Sequence, residues 1–202
     1  MPIEEVRAAY GRRAREYVER FGSVDAAAEE DRRLVAGWAA GIDGPILDVG
    51  CGPGQWTAFL HASGADVAGL DPTTAFVESA RARFPGVPYR VGRAEDLGVE
   101  DATLGGVLAW YSLIHIEPDG LGAVLAEIAR AVRPGGGLVV GFFAGPGPAP
   151  FAHAVTTAYT WPVAAMAAAV EDAGFTVTET HGRTAPGSRP HGALLARRRV
   201  VS

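Results

Sequence analysis

Ile46-Leu47-Asp48-Val49-Gly50-Cys51-Gly52-Pro53-Gly54 is an apolar strand that ends in alternate glycines and opens onto the helix-like run Gln55 to His61. Glycines at every second position leave bare backbone against which a ligand can lie, and the amides that precede a helix point toward it. The spacing is selective. A nicotinamide or flavin fingerprint requires G-x-G-x-x-G, and counting from Gly50 its third glycine falls on Gln55. The pattern present is Asp48-x-Gly50-x-Gly52-x-Gly54.

Outward from this loop the chain alternates between two periods. Val6, Tyr10, Ala14, Tyr17, Val18 and Phe21 recur in steps of three and four, and Ala26 to Ala40 carries Leu34, Val35 and Trp38 before Gly41, so two helices are expected ahead of the first strand. Pro45 to Val49, Ala65 to Leu70, Pro88 to Val91, Leu104 to Trp110 and Leu138 to Phe143 read as strands. Helices between them present Trp56, Phe59 and Leu60, then Phe76, Val77 and Ala80, then Leu121, Val124, Leu125, Ile128 and Val132. Continuous apolar strands between amphipathic helices predict a mostly parallel sheet covered on both faces. Ala144 to Pro150 reads as a loop, Val163 to Ala173 as a helix closed by Gly174, and the last two strands, Phe175 to Thr180 and Ala193 to Val200, as an antiparallel pair.

At 202 residues the chain has room for one substantial domain, 1–202, with N-terminal helices over 1–41 and a core over 45–202. Neither a basic-plus-apolar leader nor an apolar run of ~18 residues is visible, so the expectation is a cytoplasmic protein without a membrane partner. Its single cysteine leaves no intramolecular disulfide framework and no three-cysteine iron–sulfur cluster. A net charge of -5 argues against a nucleic-acid partner. Lysine is absent and every basic residue apart from histidine is arginine, which with the abundant Ala and Gly reads as a codon-composition bias.

The Asp48-to-Gly54 pattern resembles motif I of the class I S-adenosylmethionine-dependent methyltransferases. Asp71, 17 residues past Gly54, stands where that family holds both ribose hydroxyls on a carboxylate, and Arg93-Ala94-Glu95-Asp96-Leu97 resembles the segment around the adenine. Val107 to His115 is similar to the family's post-fourth-strand motif, and Leu125 to Gly137 to the run into its fifth strand. The Tyr10 to Tyr17 stretch is similar to the lid helix of many small-molecule members. The resemblance implies a Rossmann-like, doubly wound α/β fold with a seven-stranded, mostly parallel sheet, its last strand antiparallel, under an N-terminal helical lid. It implies S-adenosylmethionine as cofactor, S-adenosylhomocysteine as product and no metal. Tyr17, Asp48, Gly50, Cys51, Gly52, Pro53, Asp71, Pro72, Ala94, Glu95 and Trp110 are the cofactor contacts it implies.

Each position also has a plainer reading. Asp71 before Pro72 and Thr73 could start a helix, and Glu95 and Asp96 could be solvated acids. Asp48 reads as an orienter of loop amides, and Cys51 as a small side chain at a tight turn with no base at a diagnostic spacing.

Methyl transfer from a sulfonium is an in-line displacement that needs alignment and exclusion of water, with a base only when the acceptor arrives protonated. The residues after the fourth strand face the transferred group in relatives. Here they are Trp110, Tyr111 and Ser112, with His115 a turn further on. Tyr111 and His115 are the catalytic candidates, His115 because an imidazole exchanges protons near neutrality, although either could simply pack. Phe143, Phe151, His153, Tyr159 and Trp161 suggest an acceptor pocket for a small, partly apolar molecule, or else rings that seal the core edge. Trp110-Tyr111-Ser112-Leu113 replaces the Asn/Asp-Pro-Pro-Tyr/Phe of nucleic-acid methyltransferases. A cofactor-binding protein without turnover is the remaining alternative, and the chain is expected to be a monomer or homodimer.

Overall fold

The computed structural model describes Tyr10, Val18 and residues 22–153, 156–184 and 187–200. The expected lid helix falls almost wholly outside the described residues, as does Tyr17. Only Tyr10 and Val18 of it are described, and both are helical.

Ahead of the sheet lies α1 (Glu29–Ala40), which ends at Gly41. Then follow β1 (Ile46–Val49), α2 (Gln55–Ala62), β2 (Val67–Asp71), α3 (Thr74–Arg83), β3 (Tyr89–Val91) and β4 (Leu104–Trp110). A 3₁₀ turn, Leu113–His115, leads to α4 (Pro118–Ala131), β5 (Val132–Ala144), β6 (Ala149–Ala152), β7 (Thr157–Trp161), α5 (Val163–Asp172), β8 (Phe175–Arg183) and β9 (His191–Arg198). Pro118 occupies the first turn of α4, where its missing N–H costs nothing. Gly174, at φ +97, follows α5 and donates to the Glu171 carbonyl, the left-handed cap its position in the sequence predicts.

β1 pairs in parallel with both β2 and β4, β2 with β3, and β4 with β5. β9 runs antiparallel to β5 and to β8. These seven strands form the expected mostly parallel sheet. β6 and β7 add a two-stranded ribbon, with β7 joining the end of β5 through Phe143 and Ala144. Residues 144–150 are expected to be loop from the sequence, but Ala149 and Pro150 pair with Thr160 and Tyr159. β5 also begins earlier than expected. A register shift between Leu104 and Gly106 absorbs the Arg133–Gly136 turn, so pairing starts at Val132 and resumes at Gly137.

Burial alternates along the central strands. Val107, Ala109, Leu138, Val140 and Phe142 enter one core with α4 and α5. Leu108 and Val139 enter the other, with Val35 and Trp38 of α1 and Trp56 and Leu60 of α2. Two apolar faces explain why β1 and β4 carry almost no polar residue. From β1 the chain winds through β2 to β3, then returns to β4 on the other side of β1. The strand order therefore reverses between β1 and β4, and ligands of open α/β sheets bind at that crevice, beyond the carboxyl ends.

Candidate active site

The loop after β1 is built from three left-handed glycines, Gly50 (φ +70), Gly52 (φ +55) and Gly54 (φ +85). They play different parts. A Cβ on Gly50 would stand 2.3 Å from the Ser112 Cβ, and one on Gly54 would stand 2.7 Å from the Tyr89 hydroxyl, so both glycines let neighbouring elements close in. A Cβ on Gly52 would meet nothing within 4 Å. That backbone faces open space, as a ligand cradle requires.

Asp71 closes the loop from β2. Its Oδ2 accepts from the Gly52 amide at 2.9 Å and its Oδ1 from the Thr73 amide at 2.8 Å. Burial pushes its carboxyl up to about 6, with the two amides pulling the other way. Asp48, inside β1, accepts from the Thr57 hydroxyl at 2.7 Å and so anchors the first turns of α2. Burial, helped by the charge of Asp71, pushes Asp48 up to about 7. The Cys51 thiol is buried among Val77, Ala80 and Tyr89, and its acidity is suppressed by burial and by both carboxylates. An un-ionised, enclosed thiol is no nucleophile.

These groups line one cavity of about 640 Å³. Asp48, Gly50, Cys51, Gly52, Pro53, Asp71, Pro72 and Trp110 all border it, as do Tyr111 and His115. Ala94 and Glu95 lie outside its lining, and Glu95 instead approaches Arg93 at 3.5 Å. Gln55 Oε1 and Ser112 Oγ, both on lining residues and both buried, make no hydrogen bond within the protein. Unpaired buried acceptors beside an open glycine suit a polar ligand with its own donors.

The other end of the cavity is made of rings. Phe143 packs against Tyr111, His153, His191 and Phe151 at centroid distances of 5.1–5.7 Å. Phe143 and His153 reach the cavity, whereas Phe151 stands behind Phe143 and Trp161 joins the core. His115 is enclosed. Its Nδ1 donates to the Thr157 carbonyl at 2.6 Å, which leaves Nε2 to accept from the Tyr10 hydroxyl at 2.7 Å. Burial lowers its basicity to about 4, with the nearby His153 acting the same way. His115 is therefore neutral at pH 7 and borders the cavity beside Tyr10.

His191, Asp31 and Arg183 border the cavity and had no part in the sequence reading. No local pattern marks them, because the return of β8 and β9 brings two of the three to the site. Among the described residues no group of three or more His, Cys, Asp or Glu is placed to hold a metal, and no helix is long and apolar enough to cross a membrane.

Residues 46–136 match the family described as "Methyltransferase domain". The matched segment runs from β1 into β5 and holds the glycine loop and Asp71, so over that span, somewhat under half of its length, this chain is similar to methyltransferase domains. It is 35% identical over 106 residues to a demethylmenaquinone methyltransferase of Beutenbergia cavernae, covering 52% of this chain and 43% of that protein. It is 32% identical over 135 residues to a malonyl-[acyl-carrier protein] O-methyltransferase of Pseudescherichia vulneris, covering 65% and 50%. The chain thus spans about half the length of these curated relatives. Among solved structures, the 1,6-didemethyltoxoflavin-N1-methyltransferase of Burkholderia thailandensis, with 1,6-didemethyltoxoflavin and S-adenosylhomocysteine bound, shares the fold at a TM-score of 0.79. It is 21% identical, with 98% of this chain and 89% of that chain covered.

Proposed function

We propose that this chain moves a methyl group from S-adenosylmethionine to an O, N or S atom of a small, partly apolar molecule. One observation carries the reading: the open backbone of Gly52, tied to Asp71, faces a cavity that continues into a ring-lined end. When bound, the cofactor supplies an electrophilic methyl group on a sulfonium. Gly50, Cys51, Gly52 and Pro53 would receive its methionine part, and Asp71 with Pro72 its ribose. Beyond its contacts to Gly52 and Thr73, the Asp71 carboxylate keeps capacity to accept a further hydroxyl. Trp110 gives the sulfonium an aromatic wall, an attraction of about 0.5–2 kcal/mol.

On the acceptor side, Tyr111 and His115 are the candidates. Tyr111 presents its ring and hydroxyl directly, and His115 fixes the Tyr10 hydroxyl. The name of the Beutenbergia cavernae relative, and the small molecule in the solved structure, support a small acceptor. The ring-lined end supports a partly apolar one. The test is incubation of the purified chain with S-adenosylmethionine and a panel of small phenols, heteroaromatic amines and thiols, read by mass spectrometry. The reading predicts S-adenosylhomocysteine and an acceptor heavier by one methyl group in equal amounts. Tight cofactor binding with no demethylated product across the panel would instead mark a cofactor-binding protein without turnover.

A further inference from the structure

The ring-lined end of the cavity has a partition with space on both sides. Beyond it lies a second cavity of about 520 Å³. The two cavities share Asp31, Trp110, Tyr111, Arg183 and His191. The partition is a hydrogen-bonded pair, the Tyr111 hydroxyl against Nδ1 of His191, with the rings edge to face at 5.6 Å. Beside it Arg183 Nη2 meets Asp31 Oδ2 at 2.7 Å, so the guanidinium already has a counter-ion.

The chain is shaped to make this pair. Tyr111 follows the last residue of β4 with φ +55, and its amide donates to the Gly141 carbonyl at 2.9 Å. Bulky side chains rarely adopt that backbone, and such outliers gather at functional sites. His191 is the first residue of β9 and pairs with Phe143 at the end of β5. Because β9 runs antiparallel, it delivers its first residue to the edge where the parallel strands deliver their last.

We infer that Tyr111 and His191 form the proton-accepting pair for a phenolic acceptor, with Tyr111 touching the acceptor and His191 holding the proton. This rests on the methyl-transfer reading above. As the acceptor oxygen bonds to the methyl carbon, the carbon–sulfur bond breaks and sulfur keeps its electron pair. The acceptor's proton passes to Tyr111 Oη while the tyrosine's own proton passes to His191 Nδ1. The imidazolium then returns a proton to water through the second cavity.

Two observations favour this pair over Tyr10 and His115. Both ring nitrogens of His115 are engaged, by Tyr10 and by the Thr157 carbonyl. His115 lines only the first cavity, whereas His191 lines both and so has a route by which a proton can leave. The groups around the Tyr111–His191 pair are Glu30, Asp31 and Arg33 from α1 and His181 and Arg183 from β8. Burial and Arg183 oppose a proton on His191, and Asp31 favours one. Flat walls of Tyr10, Tyr111, Phe143 and neutral imidazoles suit an uncharged ring, and a phenol on such a ring must lose its proton to react.

The test uses the full chain with S-adenosylmethionine and phenols graded in acidity from 4-methoxyphenol to 4-nitrophenol. His191→Gln still accepts from the Tyr111 hydroxyl but cannot hold a proton. Turnover of 4-methoxyphenol should fall about 100-fold, with KM little changed and the acid limb of the pH–rate profile lost. Turnover of 4-nitrophenol, which arrives largely ionised at mildly alkaline pH, should fall far less. Equal losses for both phenols, or an unchanged acid limb, would overturn the pair.

A second readout needs no turnover. In nitrogen-15 spectra of the protein bound to S-adenosylhomocysteine, Tyr111→Phe should move the His191 Nδ1 resonance and its titration midpoint. If neither moves, the pair is overturned. A wild-type protein that binds S-adenosylhomocysteine but methylates none of these phenols overturns the acceptor class, and one that does not bind it overturns the methyl-transfer reading itself.

Discussion

The Gly52 amide donates to Oδ2 of Asp71 at 2.9 Å, joining the loop after β1 to the carboxylate after β2 across the parallel pair. Neither group can shift alone. The glycine loop and the Asp71 carboxylate are therefore one preorganised unit, and the elements that position them, β1 and β2, are buried over nearly their whole length.

Gly50 and Gly52 should respond differently to an added methyl group. Gly52→Ala places its Cβ in open space and costs only the left-handed backbone penalty of about 1–2 kcal/mol. It should fold, yet bind S-adenosylhomocysteine weakly because the Cβ projects into the cradle. Gly50→Ala adds a 2.3 Å clash with Ser112 and should lower the melting temperature well beyond Gly52→Ala. Thermal melts with and without S-adenosylhomocysteine distinguish the two.

How much of this could be read along the chain depends on the range of the contacts involved. Asp48 to Gly54 and Asp71 are each determined by one strand and the turn that follows it, so their roles show in a local pattern. His191 and Arg183 reach the site only because β8 and β9 fold back beside β5, pairing Arg183 with His191 and His191 with Phe143. Nothing near them in sequence announces that. The β6–β7 ribbon was hidden by Pro146, Pro148 and Pro150, which read as loop although an edge strand tolerates proline. Tyr111 and His115 stand out in sequence by their place after β4, but their hydrogen-bond partners, His191, Tyr10 and Thr157, lie far away in sequence.

Asp48 makes stability depend on pH. Its carboxyl stands at about 7 in the fold against 3.8 as a free side chain, so the unfolded chain binds fewer protons between those values. The stability from the protonated form is complete below pH 3.8 and is lost as pH rises through about 7. Asp48→Asn keeps an acceptor for Thr57 and removes the charge. Above pH 7 it should be more stable than wild type by about 2–4 kcal/mol, an advantage that shrinks toward pH 4. Urea unfolding at several pH values measures it.

His115 has the opposite sign. Its folded value of about 4 lies below the free value of 6.5, so its contribution is present above pH 6.5 and is lost as pH falls through about 4. Replacing it with Gln should flatten the acid side of the stability curve by up to about 3 kcal/mol, read by urea unfolding between those values.

Cys51 should be inert. Enclosed and un-ionised in the fold, its thiol should alkylate far more slowly in the native protein than after denaturation. Cys51→Ala should keep turnover within about threefold of wild type, because the Cys51 sulfur forms no bond in the reaction. Mass spectrometry after iodoacetamide treatment and a turnover assay check both statements.

We propose that this cavity is the seat of S-adenosylmethionine, with Asp71 as its ribose anchor. Calorimetric titration of S-adenosylhomocysteine into wild type and Asp71→Ala tests it most directly. The account predicts one site per chain and an affinity weakened by about 1–3 kcal/mol in the variant, the scale of a charge-assisted hydrogen bond. No binding to the wild type, or equal binding by both proteins, would contradict it.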